Sequence, residues 1–181
     1  MDLLEKTVEQ KTIFEGRVID VRVDRAELPN GKIATREVVE HPGGVTIAAL
    51  TEKDELLFVR QFRYPFGKLL LELPAGKLEK GEDPLEAGRR ELIEETGMAA
   101  GRFEPIGKMY PTPGYCSEII YMYAAFGLSY QGQRLDEDEF LEVERIPLRE
   151  AVRQVLGGEI SDAKTQLGVL KTYLMRQGGE L

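Results

Sequence analysis

One cysteine (Cys116), one histidine (His41) and no tryptophan in 181 residues exclude several chemistries at the outset. A lone thiol forms neither an intramolecular disulfide framework nor a CxxC zinc site, and one imidazole does not make a His-rich zinc centre within a chain. Long apolar runs are missing too. The longest stretches, near Val45 to Leu50 and Ile119 to Phe126, fall far short of the roughly 20 residues of a membrane span. The N-terminal MDLLEKTVEQK has mixed charge and no apolar core of signal-peptide length. Internal repeats and low-complexity segments are absent. Excess positive charge is absent as well: 24 Lys+Arg against 32 Asp+Glu leaves −8, which argues against a nucleic-acid or anionic-membrane surface. A soluble cytoplasmic protein with no nucleic-acid or membrane partner is the expectation. An anionic substrate would need something local to reverse the overall charge.

What is present is ordinary globular material, 42% hydrophobic and 31% charged, with a length that suits one domain with or without a small appendage. Arg17 to Leu28 is β-branched and alternating, Pro29-Asn30-Gly31-Lys32 is a turn, and Ile33 to Glu40 returns, which predicts an N-terminal hairpin or meander. Strands are expected at Val45 to Leu50, Leu56 to Phe62, Leu69 to Leu73, Arg102 to Tyr110, Glu118 to Phe126 and Phe140 to Ile146. Asp83-Pro84 reads as an N-cap followed by proline at the first helical position, and Gly97 as the glycine that ends the helix, giving a helix over Pro84 to Thr96. Leu148 to Leu156 and Ala163 to Arg176, the latter capped by Ser161 or Asp162, close the chain as helices. Strands mixed with helices predict an α/β or α+β fold with helices on the faces of a mixed sheet.

The Asp83-capped helix carries the first chemical signal. Glu91 and Glu95 are i,i+4 neighbours and Glu94 is i+3 from Glu91, so three carboxylates share about one side. By spacing alone this is either a solvated acidic face balanced by Arg89 and Arg90 or a set of hard oxygen ligands suited to Mg²⁺ or Mn²⁺. The longer run from Gly76 to Met98, GKLEKGEDPLEAGRRELIEETGM, resembles the Nudix box, G-x5-E-x7-R-E-U-x-E-E-x-G-U with U a bulky aliphatic. Every specified position agrees: Gly76, Glu82, Arg90, Glu91, Leu92, Glu94, Glu95, Gly97 and Met98. Nine positions across 23 residues make chance agreement improbable.

Resemblance to the Nudix hydrolases implies an α/β/α sandwich with a mixed sheet and a loop–helix–loop box. It implies that Glu91 and Glu95 bind divalent metal, Mg²⁺ or alternatively Mn²⁺, with the Ala75 carbonyl as a further ligand and Glu94 acting directly or through water. Arg90 would hold the carboxylates in register together with Glu82. Metals would give an acidic protein its cationic spot for a pyrophosphate.

Outside the box the sequence resembles the ADP-ribose pyrophosphatase branch. Pro113, in Thr112-Pro113-Gly114 and followed by Glu118, stands fifteen residues after Met98, where that branch has a substrate loop. Leu135-Asp136-Glu137-Asp138-Glu139 matches its acidic loop, which implies Glu137 as base and Glu139 as another metal ligand, in a register open to a slip of one or two. Arg63, at a strand end, matches an arginine directed at phosphate. Arg17, Val18, Arg36 and Glu37 match positions toward adenosine, some supplied by a partner subunit. His41 resembles a substrate-side position and is a departure, since some branch members have arginine there. The resemblance runs from about Gly16 to Leu174. It implies a homodimer, with residues 1–42 an N-terminal β segment that dimerises and 43–181 the hydrolase domain. It implies hydrolysis of ADP-ribose to AMP and ribose 5-phosphate. GDP-mannose, a flavin dinucleotide, a damaged nucleoside triphosphate and a non-catalytic ADP-ribose sensor are the alternatives.

Overall fold

The computed structural model describes residues 3–179 and divides into two compact units. One is the chain up to Gly43 together with Tyr110–Ile119; the other is Gly44–Met109 with the chain from Ile120 onward.

The first unit is a three-stranded antiparallel meander, β1 (Lys6–Glu15), β2 (Asp20–Glu27) and β3 (Ile33–Glu40), in the order β1-β2-β3. The hairpin turn at Leu28–Lys32 closes with hydrogen bonds from Leu28 N–H to the Lys32 carbonyl and from Gly31 N–H back to Leu28. The pairing of β2 with β3 runs without a shift from Asp20↔Glu40 to Glu27↔Ile33. The sequence reading did not include β1. Its KTVEQKTIFE is exposed at every position, so the alternating apolar signal that marks a half-buried strand is missing. The segment from Tyr110 joins this unit through Val39, whose N–H donates to the Tyr115 carbonyl at 2.8 Å and whose carbonyl accepts from Ser117 N–H at 2.9 Å.

The second unit contains two sheets where the sequence suggested one. β4 (Gly44–Ala49), β7 (Ala75–Lys77), β8 (Met98–Met109) and β9 (Ile120–Tyr130) form a mixed sheet in the order β7-β4-β9-β8, parallel only between β4 and β9. β5 (Glu55–Arg63), β6 (Lys68–Glu72) and β10 (Leu141–Pro147) form an antiparallel sheet in the order β10-β5-β6. β4 is buried at all six positions, as its continuous apolar run requires. Alternation then sends its side chains to two cores. Val45, Ile47 and Ala49 pack with Leu57, Ala87 and Leu92 of the α1 side. Ala48 and Leu50 pack with Leu56, Phe58, Ala151 and Val169 of the other. Helix α1 (Pro84–Thr96) therefore covers one face, and α2 (Leu148–Leu156) and α3 (Ala163–Gly178) the other, an α/β/α arrangement. Among the described residues no helix is long and apolar enough to cross a membrane.

Candidate active site

Helix α1 is held at both ends by the residues that mark it in the sequence. The Asp83 carboxylate accepts from the N–H groups of Leu85 and Glu86, and Gly97 takes a left-handed φ of 71° as its N–H closes on the Ile93 carbonyl. A side chain at 97 would stand 2.6 Å from the Tyr130 ring and 2.8 Å from the Gln133 nitrogen. With its ends set, the helix turns Glu91 and Glu95 inward, leaving them 8% and 3% exposed.

The wall they meet is backbone. A Cβ on Gly76 would lie 1.9 Å from the Glu91 carboxylate carbon, so that carboxylate occupies the space a side chain at 76 would take. The Ala75 N–H donates to Glu95 Oε2 at 2.9 Å. Burial pushes both acids up, Glu91 to about 7 despite the opposing pull of Arg90, and Glu95 to about 8 despite its bond from Ala75. Arg90 joins the remaining box acids. Its guanidinium donates to Glu82 at 2.9 and 3.0 Å, to Glu91 at 2.8 Å and to Glu94 at 2.8 Å.

The acidic loop reaches this helix through α1's own unpaired carbonyls. Gln131 N–H donates to Gly97, Arg134 N–H to Glu94 and the Gln133 side-chain amide to Glu95. Beyond these anchors Glu139 lies close enough to raise both Glu91 and Glu95. Glu137 stands exposed at the turn. Arg63 is held two-pronged by Glu72, at 2.6 and 2.7 Å, and its charge is felt at Glu95. Sequence reasoning missed Glu72, Gln133 and Lys164. A single acid inside Leu69-Leu70-Leu71-Glu72-Leu73 was the available signal, because a charge that becomes buried requires a partner.

The other sequence-selected residues lie in the first unit. Arg36, Glu37, Pro113 and Gly114 line a cleft of about 260 Å³, in which Arg36 is tied to Glu5 through Nε and Nη2 at 2.8 and 2.6 Å. Arg17, Val18 and His41 line another of about 380 Å³. The His41 Nδ1 accepts from Gly43 N–H at 3.1 Å and lies 3.7 Å from Glu118. Thr112 accepts the N–H groups of Tyr115 and Cys116 on its carbonyl, closing the Pro113-Gly114 turn.

Among the described residues no three His, Cys, Asp or Glu side chains form a ready-made cation cage. The donor set nevertheless fits a hard divalent ion. It is all oxygen, two of its carboxylates are buried, and one sits in a cradle that admits no side chain. Gly76→Ala is therefore expected to displace Glu91 and weaken divalent-metal binding roughly 10–100-fold, read by calorimetry; unchanged affinity would contradict the cradle. In the metal-free protein the folded values of Glu91 and Glu95 lie above the ordinary carboxylate value of 4.5. The folded state then holds more protons than the unfolded one between about pH 4.5 and 8, so stability falls as pH rises through that window. Melting curves without metal should drop from pH 5 to 8, and Mg²⁺ should raise the midpoint far more at pH 8 than at pH 5. A Mg²⁺ effect of equal size at both would count against this.

Residues 40–165 match the NUDIX domain, and residues 5–39 match the nucleoside diphosphate sugar hydrolase N-terminal domain. The chain is 44% identical over 169 residues to an ADP-ribose pyrophosphatase of Bacillus subtilis (strain 168), covering 92% of this chain and 91% of that one. It is 44% identical over 175 residues to a methanol dehydrogenase activator of Bacillus methanolicus, covering 96% and 94%. A crystal structure of an ADP compounds hydrolase shares the fold over the whole of both chains, with a TM-score of 0.86 at 23% identity. With the box intact and its helix capped as described, the chain belongs to the Nudix family, whose hydrolases generally need a divalent metal.

Proposed function

We propose that this protein is a soluble, cytoplasmic, Mg²⁺-dependent pyrophosphatase that hydrolyses ADP-ribose to AMP and ribose 5-phosphate. The observation that carries the reading is the pair of buried carboxylates, Glu91 and Glu95, on a capped helix against Gly76 and Ala75. Joined to it are the two family matches along the chain and the likeness to the Bacillus subtilis enzyme.

Glu91 and Glu95, the Ala75 carbonyl and, nearer the surface, Glu94 and Glu139 would hold the metal. Bound there, it supplies neutralisation of the diphosphate charge and a water that deprotonates near neutral pH. Glu137, exposed at the turn, takes the proton of the attacking water. Arg90, bonded to Glu82, Glu91 and Glu94, keeps these acids on and before α1 from swinging apart under mutual repulsion. Arg63 offers the diphosphate a guanidinium. Arg17, Val18, Arg36, Glu37, His41, Thr112, Pro113, Gly114 and Glu118 select the rest of the substrate. The exposed Val8, Ile13, Phe14 and Ile33 of the meander support a homodimer formed through the N-terminal strands.

A panel of ADP-ribose, GDP-mannose, NADH, FAD and a nucleoside triphosphate with Mg²⁺ tests the substrate, the products being separated by chromatography. ADP-ribose is expected to lead and to yield AMP; a different leading substrate would overturn the branch assignment. Glu91→Gln and Glu95→Gln are expected to abolish turnover with folding intact, and full activity in either would sink the hydrolase reading. Sedimentation should give the mass of two chains; a fully active monomer would contradict the dimer.

A further inference from the structure

Glu72 is 1% exposed, ends a strand of leucines, and takes two cations at once. Arg63 donates to it through Nε and Nη2, the two-pronged geometry that a guanidinium favours. Lys164 pairs with the same carboxylate. The β5–β6 register sets Glu72 opposite Val59, four residues before Arg63 and on the same face. The guanidinium thus runs back along the sheet to meet it.

Lys164 is itself out of place by ordinary helix rules. It lies two residues after the Asp162 cap of α3, in the first turn, where the helix dipole disfavours a cation. Glu72 and, at 3.0 Å, Asp162 compensate it there. The next residue, Thr165, accepts the Leu73 N–H on its hydroxyl at 2.9 Å and donates to Asp162 at 2.6 Å. One turn of α3 therefore grips the side chain of Glu72 and the backbone of Leu73. Two residues further on is Ala75, whose N–H holds Glu95.

We infer that Glu72 and Lys164 are positioning residues that act through Arg63, holding its guanidinium as a fixed cation for the substrate diphosphate. The inference rests on the reading of Arg63 as a diphosphate ligand. Two physical points support it. A free arginine at a strand end loses rotamer entropy each time it binds an anion, whereas one already clamped through two of its nitrogens does not. Secondly, an Arg63–Glu72 pair alone would be neutral and would offer a phosphate little net attraction. Lys164, itself shared between Glu72 and Asp162, offsets part of the Glu72 charge, so that this carboxylate cancels less of Arg63, the most exposed member of the group.

The test is a cycle of Glu72→Gln, Lys164→Met and Arg63→Ala, singly and with each of the first two combined with the third. Each protein is titrated with inorganic pyrophosphate in the presence of Mg²⁺ by calorimetry and assayed for kcat and KM. Glu72→Gln and Lys164→Met are each expected to weaken pyrophosphate binding and raise KM by about tenfold, with a smaller change in kcat. Neither should weaken binding further once Arg63 is alanine, and Lys164→Arg should recover most of the loss. If Glu72→Gln does not fold, Lys164→Met and its combination with Arg63→Ala carry the test alone. Losses that add to that of Arg63→Ala would overturn the inference, as would full binding by folded Lys164→Met or no pyrophosphate binding by the unaltered protein. If the cycle behaves as expected but ADP-ribose is not hydrolysed, only the substrate reading falls.

Discussion

Two carboxylates buried against bare backbone are the constraint on which the rest of this structure depends. Glu91 and Glu95 lose water on folding and gain little in return from the protein: one contact from Arg90, one backbone N–H from Ala75. The polypeptide alone thus leaves a local deficit of positive charge in a chain already carrying −8. Much of the second unit reads as the means of keeping these acids in place while that deficit stands. The caps keep α1 from fraying, the absence of a side chain at 76 leaves room for the carboxylate, and Arg90 bridges three acids on and before the helix.

The same economy governs the acidic loop. The end of any helix exposes carbonyls that want donors, and here the segment 131–134 supplies three of them. A requirement of helix chemistry is thereby met by the chain that precedes Glu137 and Glu139, which brings Glu139 within electrostatic reach of the box. Placement of that loop follows from satisfying backbone groups rather than from any attraction between the acids themselves, which repel.

Legibility followed locality. Helix α1 was readable to its last residue, because Asp83, Pro84 and Gly97 act on their immediate neighbours; the bounds expected for α2, Leu148 to Leu156, also agree with the structure. The box glutamates were found because their spacing lies within one helix. β1 escaped because exposure on every residue erases periodicity, and β7 because three residues carry none. Glu72 and Lys164 escaped for another reason: their partnership spans 92 residues, and only the oddity of each alone, an acid among leucines and a lysine in a first helical turn, was visible in the linear text. The two-sheet division of the second unit was likewise hidden, since the continuous apolar run of β4 says that both faces are buried but not by which strands.

That long span bears on how the protein is made. At about 5–20 residues per second of synthesis, some 5–18 seconds separate the appearance of Glu72 from that of its lysine. During that interval Glu72 cannot reach its final buried state without being left with only one cation. The first turn of α3 therefore works as a late latch on the nascent chain, and the Ala75 backbone beside the box is not tied down from that side until synthesis has passed Lys164 and Thr165.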